Sequence, residues 1–158
     1  MLKHLYVKNF ITISCFEAEF KNQLTVFTGE SGAGKSVLFS ALYCLLGKAF
    51  TTDFIRHGES YSECEATFDI SQLNHPFLLE ITDNEDTLII YRKITTSKQQ
   101  KIKINNKSIT QRTLKEIGKH LAIIVNQHEQ LSLMNNQFQR QVLDQLSPKI
   151  QDALSTYK

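Results

Sequence analysis

Eight consecutive residues, Gly29-Glu30-Ser31-Gly32-Ala33-Gly34-Lys35-Ser36, combine the side chains needed to hold a polyphosphate. They match the pattern G-x-x-x-x-G-K-[ST] in full. Glycines suit such a loop because a Cβ would block the backbone's close approach to phosphate oxygens and would disfavour positive φ. Main-chain N–H groups of the loop, and of a helix starting at its end and including Val37, can then converge on an anion. Lys35 brings a mobile point charge for β and γ phosphates, and Ser36 brings a hydroxyl for Mg²⁺. The implied chemistry is binding of a nucleoside triphosphate with magnesium by Gly29, Glu30, Ser31, Gly32, Ala33, Gly34, Lys35, Ser36 and Val37, with Lys35 also catalytic. An ordinary glycine turn is the alternative, and the motif's placement between a strand and a helix argues against it.

Such a loop works only where a strand delivers the chain into it and a helix leaves it. Leu24-Thr25-Val26-Phe27-Thr28 is a short, mostly apolar run, as expected for a strand buried on both faces. From Lys35 to Leu46, the residues Val37, Leu38, Ala41, Leu42, Leu45 and Leu46 recur at helical spacing and stop at Gly47, a natural C-cap residue. Upstream, residues 5–10 and 15–20 alternate apolar and polar, which predicts an antiparallel pair of half-buried strands. Downstream, residues 62–70, 77–81, 88–94 and 101–107 read as further strands of an antiparallel meander. Asn105-Asn106 forms its tight turn, because Asn tolerates positive φ. Thr110 is placed to cap a helix running to about His120. Residues 121–125 then read as a second fully apolar strand, and helical stretches cover 137–146 and 150–157.

Composition limits the setting. The chain has 158 residues, enough for one domain with its own core, 41% of them apolar and 22% charged. No apolar run approaches the roughly 18 residues of a membrane span, and no secretory signal opens the chain, so a cytoplasmic protein with no membrane partner is expected. Cys15, Cys44 and Cys64 lack disulfide or zinc spacing and read as free thiols. His4, His57, His75, His120 and His128 show no metal-ligand spacing either. Charge is segregated: between Asp53 and Asp86 the only Lys or Arg is Arg56, while between Arg92 and Lys119 the only acid is Glu116. The basic stretch has two readings, a phosphate-neutralising surface or a solvated lysine-rich face.

Beyond the phosphate loop, the opening Leu5-Tyr6-Val7-Lys8-Asn9-Phe10, Ile55-Arg56-His57-Gly58, Ile104-Asn105-Asn106-Lys107 and Gln127-His128-Glu129-Gln130-Leu131 follow in an order and spacing that resemble the RecN family. That family is a DNA-repair group in the SMC-like branch of ABC ATPases. The resemblance covers essentially the whole chain, with two departures: Asn106 and Asn126 stand where the family usually has glycine. It implies an α/β P-loop NTPase fold, an ABC/SMC-type head lobe carrying an antiparallel β-meander. Residues 1–146 would form the nucleotide-binding head segment, and residues 147–158 would begin a coiled-coil helix. It also implies that Gln127 ligates Mg²⁺ or the attacking water; a glutamine capping a strand end is the alternative. Arg56 resembles an arginine that reaches the nucleotide phosphates, and it equally suits a salt-bridge hub.

An ABC-type ATPase also needs a signature loop and an apolar strand ending in Asp-Glu, and neither occurs in these 158 residues. The expectation is therefore an N-terminal segment that stops where the coiled coil would start. Its implied partners are the C-terminal half of the same head, a second head on ATP binding, and DNA in the full-length protein. Two rivals stand beside it: a self-contained P-loop kinase for a small molecule, drawing on Arg56, Arg92, Arg112 and Arg140, and a DNA-binding module with a vestigial P-loop.

Overall fold

A computed structural model describes residues 1–21, 24–30, 34–73 and 75–122. Alternation along the chain translates into strands with one buried face. β1 (Leu2–Phe10) turns back into β2 (Ile13–Glu19), then come β3 (Tyr61–Asp69), β4 (Thr87–Thr95), β5 (Gln100–Ile104) and the two-residue β6 (Lys107–Ser108). They form a six-stranded sheet in the order β2-β1-β3-β4-β5-β6, with every neighbouring pair antiparallel. The inward rows are Leu5 and Val7 on β1, Ser62, Cys64, Ala66 and Phe68 on β3, and Leu88, Ile90, Arg92 and Ile94 on β4.

Helix α1 (Lys35–Leu45) covers that face, packing on β1, β3 and β4 and burying Leu38, Ala41, Cys44 and Leu45. It ends as its sequence predicts. Leu46 is the C-cap and Gly47 follows at φ +101°, a left-handed conformation that a side chain would resist. Helix α3 (Gln111–Leu121) starts at Thr110, whose hydroxyl accepts from the Thr113 N–H at 3.1 Å. The turn between β5 and β6 has Asn105 at φ 43° and Asn106 at φ 67°, the paired positive angles of a type I′ hairpin. Asn105 also braces the sheet, accepting from the Ile89 N–H at 2.7 Å and donating to the Thr87 carbonyl at 2.9 Å.

Two sequence expectations fail here. Residues 77–81 are not a strand but lie in a short helix, α2 (Pro76–Ile81), with Pro76 at its first turn and Leu78 buried. A five-residue apolar run is too short for periodicity to separate helix from strand, and the fixed φ of proline at a helix start decides the matter. Residues 24–28 do not pair as a strand, and they are exposed rather than buried: Leu24 is 82% and Val26 70% accessible. A strand buried on both faces exists only through neighbours on both sides, and among the described residues none lies beside this run. The expected strand at 121–125 gives way at its first residue, since Leu121 ends α3 and Ala122 caps it; residues 123–125, like the helices expected beyond, lie outside the described residues.

The basic stretch also divides. Arg92 lies 1% exposed inside the sheet's inward row, so it cannot face an external phosphate. Its guanidinium donates to the Cys44 carbonyl in the last turn of α1 at 2.5 Å, to the Lys48 carbonyl just beyond that helix at 2.7 Å, and to Gln111 Oε1 of α3 at 2.7 Å, while lying over the Phe50 ring. Lys93 lies over the Tyr61 ring and faces Glu63, and Lys107 pairs with Asp83.

Backbone contact between α1 and α3 is close enough that a Cβ on Gly118 would sit 2.0 Å from the Leu46 carbonyl oxygen. In an isolated helix Gly→Ala would gain about 1 kcal/mol. Here, overpacking at a cost of about 1–3 kcal/mol reverses the sign. Gly118→Ala should therefore lower the urea midpoint, and an equal or higher midpoint would refute this contact. Thiol chemistry offers a second check. Cys15 is exposed, burial pushes Cys44 up to about 11 against the opposing charges of Arg92 and Lys48, and burial pushes Cys64 higher still. At pH 8, Ellman's reagent should titrate one thiol per native chain quickly and all three only in denaturant.

Candidate functional site

The phosphate loop joins the exposed run 24–28 to the N-terminus of α1. Gly34 is the helix N-cap at φ +84°, and its carbonyl accepts the first helical bond from the Leu38 N–H at 2.9 Å. That pattern leaves the amides of Lys35, Ser36 and Val37 with no intrahelical acceptor. Among the described residues no side chain caps this end, and no acid lies in the first turn. At most helix starts a Ser, Thr or Asp would fill this role, so the site is a cluster of oriented donors with the positive end of a helix dipole behind it. A Cβ built on Gly34 would meet none of the described residues within 4 Å. Donors of this kind suit a phosphate group.

Lys35 folds back over the loop. Its ammonium donates to the Gly29 carbonyl and to the Glu30 carbonyl, the latter at 2.7 Å. The cation is thereby held beside the open amides by two weak neutral acceptors, which a charged phosphate oxygen would outcompete. Ser36 is exposed at the first turn, with its main chain accepting from the Ser40 hydroxyl at 3.0 Å. Val37 packs its side chain on the core while its amide stays at the helix end. Ser31, Gly32 and Ala33, and Gln127 with the expected magnesium role, lie outside the described residues.

Arg56 is fixed elsewhere in the fold. Its amide donates to the Asn9 carbonyl at 2.9 Å, and Ile55 bridges to Phe10. The rings of Phe10, Phe50 and Phe54 pack together beneath it, with Phe10 and Phe54 stacked at 5.1 Å. Its guanidinium donates to the Thr12 carbonyl in the β1–β2 turn, and among the described residues it makes no ion pair. The geometry brings Gly29, Glu30, Gly34, Lys35, Ser36 and Val37 together and leaves Arg56 on the hairpin turn. Arg92, a lysine-stretch residue by sequence, instead grips the far end of the phosphate-loop helix. Its position in the alternation Leu88, Ile90, Arg92, Ile94 was the available signal, since that row points inward.

Comparison with known proteins agrees with this geometry. The AAA domain family matches residues 4–158. The DNA repair protein RecN of Bacillus subtilis is 34% identical over 166 residues, covering all of this chain and 28% of that protein. RecN of Haemophilus influenzae is 31% identical, again over the whole chain and 30% of the relative. The chain thus spans less than a third of the length of these curated relatives. Among solved structures, one from work on ATP-driven dimerization and DNA-stimulated activation of SMC ATPases aligns with a TM-score of 0.66 at 20% identity, covering 92% of this chain and 99% of that one. The SMC head domain from Thermotoga maritima aligns with a TM-score of 0.65 at 19% identity, covering 85% and 51%. The chain belongs to the AAA domain family, is similar to RecN along the whole of its own length, and has the fold of an SMC head lobe.

Proposed function

We propose that this chain is the ATP-binding part of a RecN-like ATPase that acts in repair of DNA double-strand breaks, working in the cytoplasm. The observation that carries the proposal is the start of α1, where Gly34 at positive φ opens the helix without a side-chain cap among the described residues and the Lys35 ammonium is held on the Gly29 and Glu30 carbonyls. Magnesium bound with ATP would supply charge neutralisation between the β and γ phosphates, with Ser36 and Gln127 as its protein ligands. Arg56 would reach the nucleotide by leaving its Thr12 carbonyl.

The same proposal explains the exposed run. Leu24, Val26 and Phe27 present apolar surface on unpaired backbone, as strands contributed by the C-terminal half of the head would require. A second head would then close over the nucleotide and DNA would engage the full-length protein. Arg92 buried in the core removes one of the arginines that a self-contained kinase would need as a lid.

Binding can be measured by calorimetry with Mg-ATP on the 158-residue chain. Lys35→Ala removes a charge-assisted contact worth about 1.5–3 kcal/mol, so affinity should fall about 10- to 100-fold while the fold persists. A folded protein that takes up no ATP at millimolar concentration would end this proposal. Turnover should be slow, because no Asp-Glu base or signature loop occurs in the sequence to stabilise the developing charge. Brisk hydrolysis abolished by Lys35→Ala would show that the site is complete without them.

A further inference from the structure

Among the described residues, Arg92 is a buried cation with no acid beside it. Its partners are all neutral: the Cys44 and Lys48 carbonyls, Gln111 Oε1 at 2.7 Å and Gln100 Oε1 at 3.5 Å, with Nε left unpartnered among the described residues. Burial draws its pKa below the ordinary arginine value, though a guanidinium stays charged. Apolar side chains usually fill such a position at least as stably as an ion does. What an apolar side chain could not do is neutralise the carbonyl end of α1, where the helix dipole is negative.

That end belongs to the helix whose other end receives the phosphates. Eleven residues make α1 a rod of about 16 Å, so a phosphate at its start and a guanidinium at its end favour the same dipole. The grip extends to α3. Gln111, the first residue of α3, accepts from Arg92 and donates to the Gly47 carbonyl at 2.7 Å. Further along, Gly118 meets the Leu46 carbonyl and a Cβ on Gly47 would fall 2.5 Å from Lys115 Cα, so backbone touches backbone at both places. With no compressible side chains between them, the end of α1 cannot shift without α3.

Resting on the ATP-binding proposal above, we infer that Arg92 is a positioning residue for the nucleotide, holding the phosphate-loop helix by its far end and, through Gln111, passing the occupancy of the loop to α3. Hydrogen–deuterium exchange with and without Mg-ATP tests it. In the wild-type chain ATP should slow exchange at residues 29–37 and also at 111–121. Arg92→Met should bind ATP roughly fivefold or more weakly; at saturating nucleotide it should keep protection at 29–37 and lose the response at 111–121. Arg92→Lys, whose amine reaches the α1 carbonyls but lacks the fork to Gln111, should recover affinity more than it recovers the α3 response. Should Arg92→Met fail to fold, Gln111→Leu keeps the guanidinium on α1, and it should retain affinity and lose the α3 response.

A response at 111–121 that survives Arg92→Met or Gln111→Leu undiminished overturns the coupling, as does wild-type protection confined to 29–37. Protection at neither segment removes the ATP-binding proposal and this inference with it.

Discussion

A single guanidinium, shut inside the sheet's inner face, organises the part of the molecule that matters most. Arg92 reaches from the middle of β4 to the last carbonyls of α1 and the first side chain of α3. It therefore ties the last turn of α1 to the start of α3. The interaction is asymmetric in energy. Its hydrogen bonds are strong because the donor is charged and the surroundings are dry, and the same dryness makes any broken bond expensive. The aromatic floor of Phe50 under the guanidinium adds attraction from the ring face and excludes water. Around this centre the ordinary forces suffice: alternating apolar rows, a threonine cap, an asparagine hairpin and two glycines where helices cross.

Much of this was legible in the residues. The meander, the start and stop of α1, the Thr110 cap and the Asn105-Asn106 turn each rest on local chemistry, and the structure has them within a residue or two. The helix start at Gly34 was legible for the same reason, since the glycine-rich pattern specifies backbone behaviour that few other sequences need. What local chemistry could not supply was context. Residues 77–81 are apolar enough for either secondary structure, and the proline at the helix start settled the choice. Residues 24–28 have the composition of a buried strand, but composition cannot provide the neighbours that would bury it.

Arg92 shows the other limit. Counted with its charged neighbours, it belonged to a basic run, and charge runs are read as surfaces. Counted with its alternate neighbours on β4, it belonged to the core. The two countings conflict, and periodicity prevailed because a strand's side chains must alternate whatever their charge. Arg56 illustrates a milder case: its sequence neighbourhood suggested ionic partners or phosphates, and the fold gives its guanidinium a main-chain carbonyl on a hairpin turn.

The uncovered run from Leu24 to Phe27 carries a consequence for how the polypeptide behaves in bulk. Backbone that pairs with no strand among the described residues, carrying exposed apolar side chains, is the recipe for adhesion between molecules. Here it abuts the glycine loop directly. Colloidal stability and the proposed ATP binding thus fall to adjoining stretches of one short segment, and whatever shields the first must leave the second open to solvent.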